Sequence, residues 1–279
     1  MYTSDISIKR GKFLSILTKE YLNELVEKYE IPDFIKDDPV QFPHKFKKQI
    51  DIEVSGLISS CLAYGNRKKI VETLANLHEI FNDSPSEFVM NFDIDRDAEL
   101  FKGFVYRYTQ ERDLILLIHV IGQALKEYGT LEKAFLKGFN PDDKNIRQSL
   151  TNFVNLLRSY IPCEIDSHAS LRMTMKGLFH LIPSPELGSA CKRLNLFLKW
   201  MVRKPPVDLN IWKNIPANKL LMPLDTHVAR ISRKWGLTSR NSNDWKTAEE
   251  ITEKLKEFDP VDPVKYDFAI FGLGISGLA

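Results

Sequence analysis

Two side chains of this sequence sit where chemistry is possible, Lys192 and Asp225, 33 positions apart. Asp225 ends the loop Pro223-Leu224 and precedes Thr226-His227-Val228-Ala229-Arg230-Ile231-Ser232-Arg233-Lys234-Trp235-Gly236. Val228, Ile231 and Trp235 recur at i, i+3 and i+7, the apolar face of a short helix that carries Arg230, Arg233 and Lys234 elsewhere. Gly236 supplies the stop. A carboxylate in that place accepts bonds from the first free N–H groups of the helix. The same carboxylate, fixed and open to a substrate, stabilises positive charge. Lys192 follows the turn Pro183-Ser184-Pro185-Glu186-Leu187-Gly188-Ser189-Ala190. A desolvated, neutral lysine amine is a nucleophile, whereas a solvated one contacts phosphate. Backbone N–H groups of Gly188, Ser189 and Ala190, at the start of the next helix, make a site for an anion.

The elements that must position these groups read as helices throughout. Periodicity predicts helices over 12–30, 50–64 and 67–81, the last two forming a hairpin with its polar corner at Tyr64-Gly65-Asn66-Arg67. Residues 33–48, with Pro39, Pro43 and a basic end, read as a surface connection. Ser84-Pro85 opens a further helix, and others are expected over 95–109, 111–127, 142–160, 170–182, 190–204, 245–258 and 264–274. On the 190–204 helix, Lys192, Asn195, Lys199 and Arg203 share one narrow sector opposite Leu194, Phe197, Leu198 and Met201. That pattern reads as one core face and one cationic stripe in water. The predicted fold class is all-α.

Composition narrows the function classes. A chain of 279 residues with 43% hydrophobic and 27% charged residues is ordinary for a soluble globular protein. No apolar run reaches the length of a membrane span, and the N-terminus lacks the pattern of a signal peptide, so no membrane partner and a cytoplasmic location are expected. Cys61, Cys163 and Cys191 are too dispersed for a disulfide scaffold, a zinc knuckle or an iron–sulfur cluster. There is no Walker loop, dinucleotide fingerprint, His-Glu-x-x-His or nucleophile elbow. No metal and no cofactor are expected, and Asp166-Ser167-His168 reads as structural. Charge is uneven: from 189 to 240, eleven Lys/Arg against two Asp/Glu give a net +9, which leaves −7 for the rest of a chain of net +2. Such a segment suits an anionic partner or a solvated basic surface.

Leu224-Asp225-Thr226-His227-Val228-x-Arg230-Ile231 resembles the catalytic aspartate segment of the helix-hairpin-helix DNA glycosylases, which include endonuclease III and the adenine and 8-oxoguanine glycosylases. Lys192-Arg193-Leu194-Asn195-Leu196-Phe197-Leu198 is similar to their lysine-bearing helix, and Leu57–Asn66 to an early helix ending in a loop that touches damaged duplex. Tyr266–Gly272 sits where those enzymes have their closing helix. The departures are a hairpin with one glycine, Pro185-Glu186-Leu187-Gly188-Ser189, a long Lys-to-Asp interval and no iron–sulfur loop. Archaeal 8-oxoguanine glycosylases are similar in the first two respects. Ser189–Arg203, Pro223–Ile231 and Asp262–Gly274 carry a closer resemblance to a microbial family known only as a domain of unknown function.

The resemblance implies a two-lobed helical bundle with a helix-hairpin-helix-like element and a cleft between the lobes. The chain would be one unit, 1–279, with 50–160 and 165–240 forming a helical barrel and 1–49 and 241–279 packing as flanking helices. It implies a monomeric base-excision glycosylase acting on double-stranded DNA, preferably on an oxidised purine, with a possible lyase step. Asp225 and Lys192 would be catalytic. Gly188, Ser189, Ala190, Arg193, Lys199, Arg203 and Arg230 would hold DNA, and Tyr64 and Asn66 would fill the gap in the duplex. Trp212, Phe268 and Phe271 would line the base pocket. The rival expectations are a helical DNA-binding protein without activity and an all-α interaction domain.

Overall fold

Helices make up nearly all of the architecture in the computed structural model, which describes residues 17–162 and 175–276. The first turn expected over 12–30, the loop from Cys163 to Ser167, His168 and the opening of the helix expected over 170–182 lie outside the described residues. In order, the helices are α1 (Lys19–Tyr29), α2 (Gln49–Cys61), α3 (Arg67–Ile80), α4 (Pro85–Asn91), α5 (Ile94–Asp97), α6 (Glu111–Tyr128), α7 (Leu131–Leu136), α8 (Arg147–Ser159), α9 (Lys176–Leu181), α10 (Lys192–Val202), α11 (Thr226–Lys234), α12 (Trp245–Lys256) and α13 (Tyr266–Ser276).

The centre is α2, in which every residue from 51 to 61 is buried. A helix enclosed on all sides needs partners for its polar side chains, and here only Ser59 Oγ lacks one among the described residues. Asp51 Oδ1 accepts from Ser86 N and Oγ at 3.0 and 2.6 Å, which ties α2 to the start of α4. Glu53 accepts from Leu131 N at 2.7 Å and from Trp212 Nε1 at 2.8 Å, which ties it to α7 and to the chain after α10. Ser55 Oγ bonds His78 Nε2 of α3 at 2.7 Å. Around α2, the side chains of α3, α4, α6, α7, α8 and α10 form the larger hydrophobic cluster. A smaller one joins α1, α11, α12 and α13 through Leu22, Val228, Ile231, Ile251, Leu255 and Ile270.

Three expectations change. Residues 32–45 are not a surface connection: they form three successive 3-10 turns whose Pro39, Val40, Phe42 and Pro43 are buried. Each turn starts at a proline, which presets its φ and removes an N–H that would lack a partner. The helix expected over 95–109 stops early, and the chain makes a two-stranded antiparallel hairpin, β1 (Val105–Tyr106) with β2 (Thr109–Gln110). Alternation of Phe104, Tyr106 and Tyr108 with Val105, Arg107 and Thr109 was the available strand signal. Helix α7 stands where none was expected, capped by Thr130, whose side chain accepts from Lys133 N.

Candidate functional site

The turn before α10 is built to hold one shape. A 3-10 turn at Pro185–Leu187 ends in Gly188, whose φ of 80° is available at little cost to glycine. Gly188 N donates to Pro185 O at 3.0 Å, so one N–H group of the expected anion site is already bonded inside the turn, and the next N–H along, that of Cys191, is taken by Ser189 Oγ at 3.2 Å. Gly188 O accepts from Trp245 N at 3.1 Å, which locks the turn to α12. Gly188 is exposed, Ser189 half-buried and Ala190 buried, while Leu187 at the tip is 78% exposed. Cys191, at φ 46°, is the N-cap of α10; its buried thiol faces Pro183 O, and burial pushes the thiol up to about 12. Lys192 is therefore the first residue of α10, and its Nζ donates to Ala63 O, just beyond α2, at 3.0 Å.

Asp225 caps α11, with Oδ1 accepting from Val228 N at 2.8 Å. The cap reading is thus met through one carboxylate oxygen. Lys192 and Asp225 line one cavity of about 690 Å³. Its walls bring together the 3-10 segment (Phe34, Asp38, Pro39), the 63–67 corner, α10 (Lys192, Leu196, Lys199, Trp200), the start of α11 and α13 (Asp267, Phe268, Phe271). A concave space with aromatic walls and a few charged groups is the usual form of a small-ligand site.

Two charged pairs in this cavity were not anticipated. Asp38 accepts from Val40 N at 3.0 Å and faces Arg67 at 3.4 Å. Burial pushes its carboxyl up, against the pull of the Val40 N–H, Arg67, Lys199 and Lys192. Arg67 lies over the Phe34 and Phe271 rings. Lys199, only 2% exposed, bonds Asp267 Oδ2 at 3.0 Å and lies 3.6 Å above the Phe268 ring. Asp38 is in a segment that prolines disguised as a connection, so composition held no signal for it.

The cationic stripe of α10 faces inward and not toward water. Arg203 is 4% exposed and meets Glu30, Asp208 and Asp262; Lys199 also lies 3.8 Å from Asp208. Arg193 is 7% exposed, donates to Cys61 O and His180 O, and lies over the Tyr64 ring. These three cations are thereby withdrawn from the DNA-gripping surface assigned to them, because buried carboxylates and carbonyls already hold their charge. Trp212 is fully buried with its N–H on Glu53, so it belongs to the core and not to a base pocket. Phe268 and Phe271 do line the cavity, packed against Phe34 at 5.4 and 6.2 Å. Tyr64 is half-buried and its hydroxyl bonds Tyr106 O and Thr109 Oγ1, which leaves it a poor gap-filler. Asn66 is exposed on the cavity rim and caps α3 through Lys69 N. Arg230 is exposed on α11.

Among the described residues, no cluster of His, Cys, Asp and Glu has the arrangement of a metal site, and no helix is long and apolar enough to cross a membrane. Residues 38–276 match the family described as "Protein of unknown function (DUF2400)", and the chain belongs to that family. No curated protein and no solved structure matches it.

Proposed function

We propose that this family member is a DNA base-excision enzyme in which the cavity receives a base rotated out of the duplex. A base inside the stack hides its glycosidic carbon, so an enzyme acting there must extrude it. The observation that carries the reading is that Lys192 and Asp225, from separate helices, line one cavity with aromatic walls. Asp225, anchored through Oδ1 by the Val228 N–H, stabilises the cationic sugar as the base departs. Lys192, whose Nζ is held on Ala63 O at the cavity wall, supplies the amine that attacks C1′. Attack at C1′ breaks the bond to the base, which leaves with the bond's electron pair and takes up a proton. Ring opening and loss of an amine proton give the Schiff base, and removal of a C2′ proton expels the 3′ phosphate. Oxidised purine is the preferred substrate, on the resemblance to archaeal 8-oxoguanine glycosylases.

Borohydride reduces the Schiff base to a stable protein–DNA bond. Incubation with 8-oxoguanine duplex and borohydride is expected to yield a covalent adduct that Lys192→Ala abolishes. An adduct that survives the substitution removes Lys192 from the chemistry. No adduct together with no base release leaves the non-catalytic DNA-binding protein as the better reading.

A further inference from the structure

The two-stranded hairpin between α5 and α6 has a place in the molecule that its size does not suggest. Its tip is Arg107-Tyr108, with Arg107 at φ 54° and Tyr108 70% exposed. A single exposed apolar side chain is ordinary by itself, so the support beneath this one matters more than its exposure. The tip is held firmly. The Tyr106 hydroxyl donates to Tyr64 O, and the Tyr64 hydroxyl reaches Tyr106 O at 3.1 Å, a reciprocal latch between hairpin and corner. The two rings pack edge to face at 5.1 Å. Gly65, at φ 101°, lies directly beneath Arg107: a Cβ there would stand 2.8 Å from Arg107 Cδ. Gly65 itself lines the cavity, so Arg107 stands against a residue of the cavity wall. Tyr108 packs edge to face with His180 at 6.0 Å, and the Arg107 guanidinium lies 5.7 Å from its ring.

We propose that Tyr108 is the side chain that enters the duplex, stacking in the vacancy left by the extruded base while Arg107 contacts a flanking phosphate. This rests on the reading that the cavity receives such a base. It assigns the gap-filling role to a residue that sequence reasoning passed over, in place of Tyr64, which the latch employs. A planar ring on a pinned support replaces the lost stacking with little ordering cost.

The test separates the hairpin from the chemistry. A duplex carrying a tetrahydrofuran abasic site has no base to release, so binding to it does not require catalysis; 2-aminopurine placed beside the site reports stacking. The full chain is expected to bind this duplex more tightly than an intact one and to change the 2-aminopurine emission. Tyr108→Ala is expected to weaken abasic-site binding about tenfold or more, to abolish the emission change and to leave intact-duplex binding nearly as it was. Tyr108→Phe should restore both. Arg107→Asn, which tolerates a positive φ, should lower affinity for both duplexes and reduce the salt dependence by about one ion. Because the Tyr108 ring is largely in water, Tyr108→Ala should unfold at the wild-type urea concentration. Unchanged binding and emission in Tyr108→Ala would overturn the hairpin's role while the borohydride adduct still upheld base excision. Failure of the wild-type chain to bind either duplex would overturn both.

Discussion

Asparagine at position 225 keeps an oxygen for the Val228 N–H and removes the charge, whereas alanine removes both. The pair therefore separates the cap from the chemistry. Asp225→Asn is expected to unfold within a few tenths of a kcal/mol of wild type, and Asp225→Ala about 1 kcal/mol earlier. Base release should fall sharply in both. Base release that persists in Asp225→Asn would leave Asp225 as a cap alone. A second residue-scale prediction concerns acid. His78 lies among Phe42, Phe46 and Phe81, with Nδ1 on Leu74 O and Nε2 on Ser55 Oγ. Burial, aided by Lys45, pushes it down to about 4 from an ordinary value near 6.5. Between these values the unfolded chain takes up the proton and the folded one does not, so His78 withdraws stability as pH falls from about 6.5 to about 4. The buried carboxyls of Glu53 and Asp38, pushed up by desolvation, act in the opposite sense. The difference isolates the histidine: urea unfolding of His78→Gln should lose less stability than wild type across that window, and equal losses would contradict a neutral buried ring.

Helix packing gives a sharper contrast than any single charge. Gly122 of α6 lies so close to α4 that a Cβ would stand 2.0 Å from Val89 O, a backbone atom. Gly122→Ala must push the two helices apart and is expected to cost about 3 kcal/mol or more. A Cβ on Gly56 of α2 would meet the Met201 methyl at 2.8 Å, the far end of a flexible side chain, and the Phe197 ring at an ordinary 3.5 Å. The helix preference for alanine offsets that contact, so Gly56→Ala should remain within about 1 kcal/mol of wild type. Urea titrations of both variants check this. Equal losses would mean that the α4–α6 approach is not tight. At this scale the sequence was readable where periodicity was long: α2, α3, α6 and α12 fall where 3.6-residue spacing puts them. It was misleading where a polar face had two explanations. The sector Lys192, Asn195, Lys199 and Arg203 has the spacing of a solvated stripe, and periodicity cannot tell water from a buried ring of carboxylates. Three of those carboxylates, Glu30, Asp262 and Asp267, are remote in sequence, and the fourth, Asp208, lies in the turn after α10. Prolines at 32, 39 and 43 hid a packed segment for a similar reason: they mark turns, and turns are not always outside.

In the whole molecule, the cavity lies where the two hydrophobic clusters meet, with Ile70, Trp200 and Phe268 from the larger and Leu224 from the smaller. The ion network around Lys199 and Arg203 joins α10 to α1 and α13 beside that junction. The family match over 38–276 takes in every residue that lines the cavity except Phe34. The candidate pair Lys192 and Asp225 was legible because each stands at a helix start with a local pattern of its own. The company they keep, Asp38, Arg67 and Asp267, was not, because it assembles only in three dimensions. Cys191 offers a way to time this assembly. Its thiol is protonated and enclosed at the joint between turn and α10, so a disulfide reagent can react only when that joint breathes. In a Cys61→Ala, Cys163→Ser chain, Cys191 should label far more slowly than an open thiol, and abasic-site duplex should slow it further. Labelling at the rate of a free cysteine would contradict its enclosure. The residue next to the candidate nucleophile would then serve as a chemical clock, counting how often the floor under Lys192 gives way.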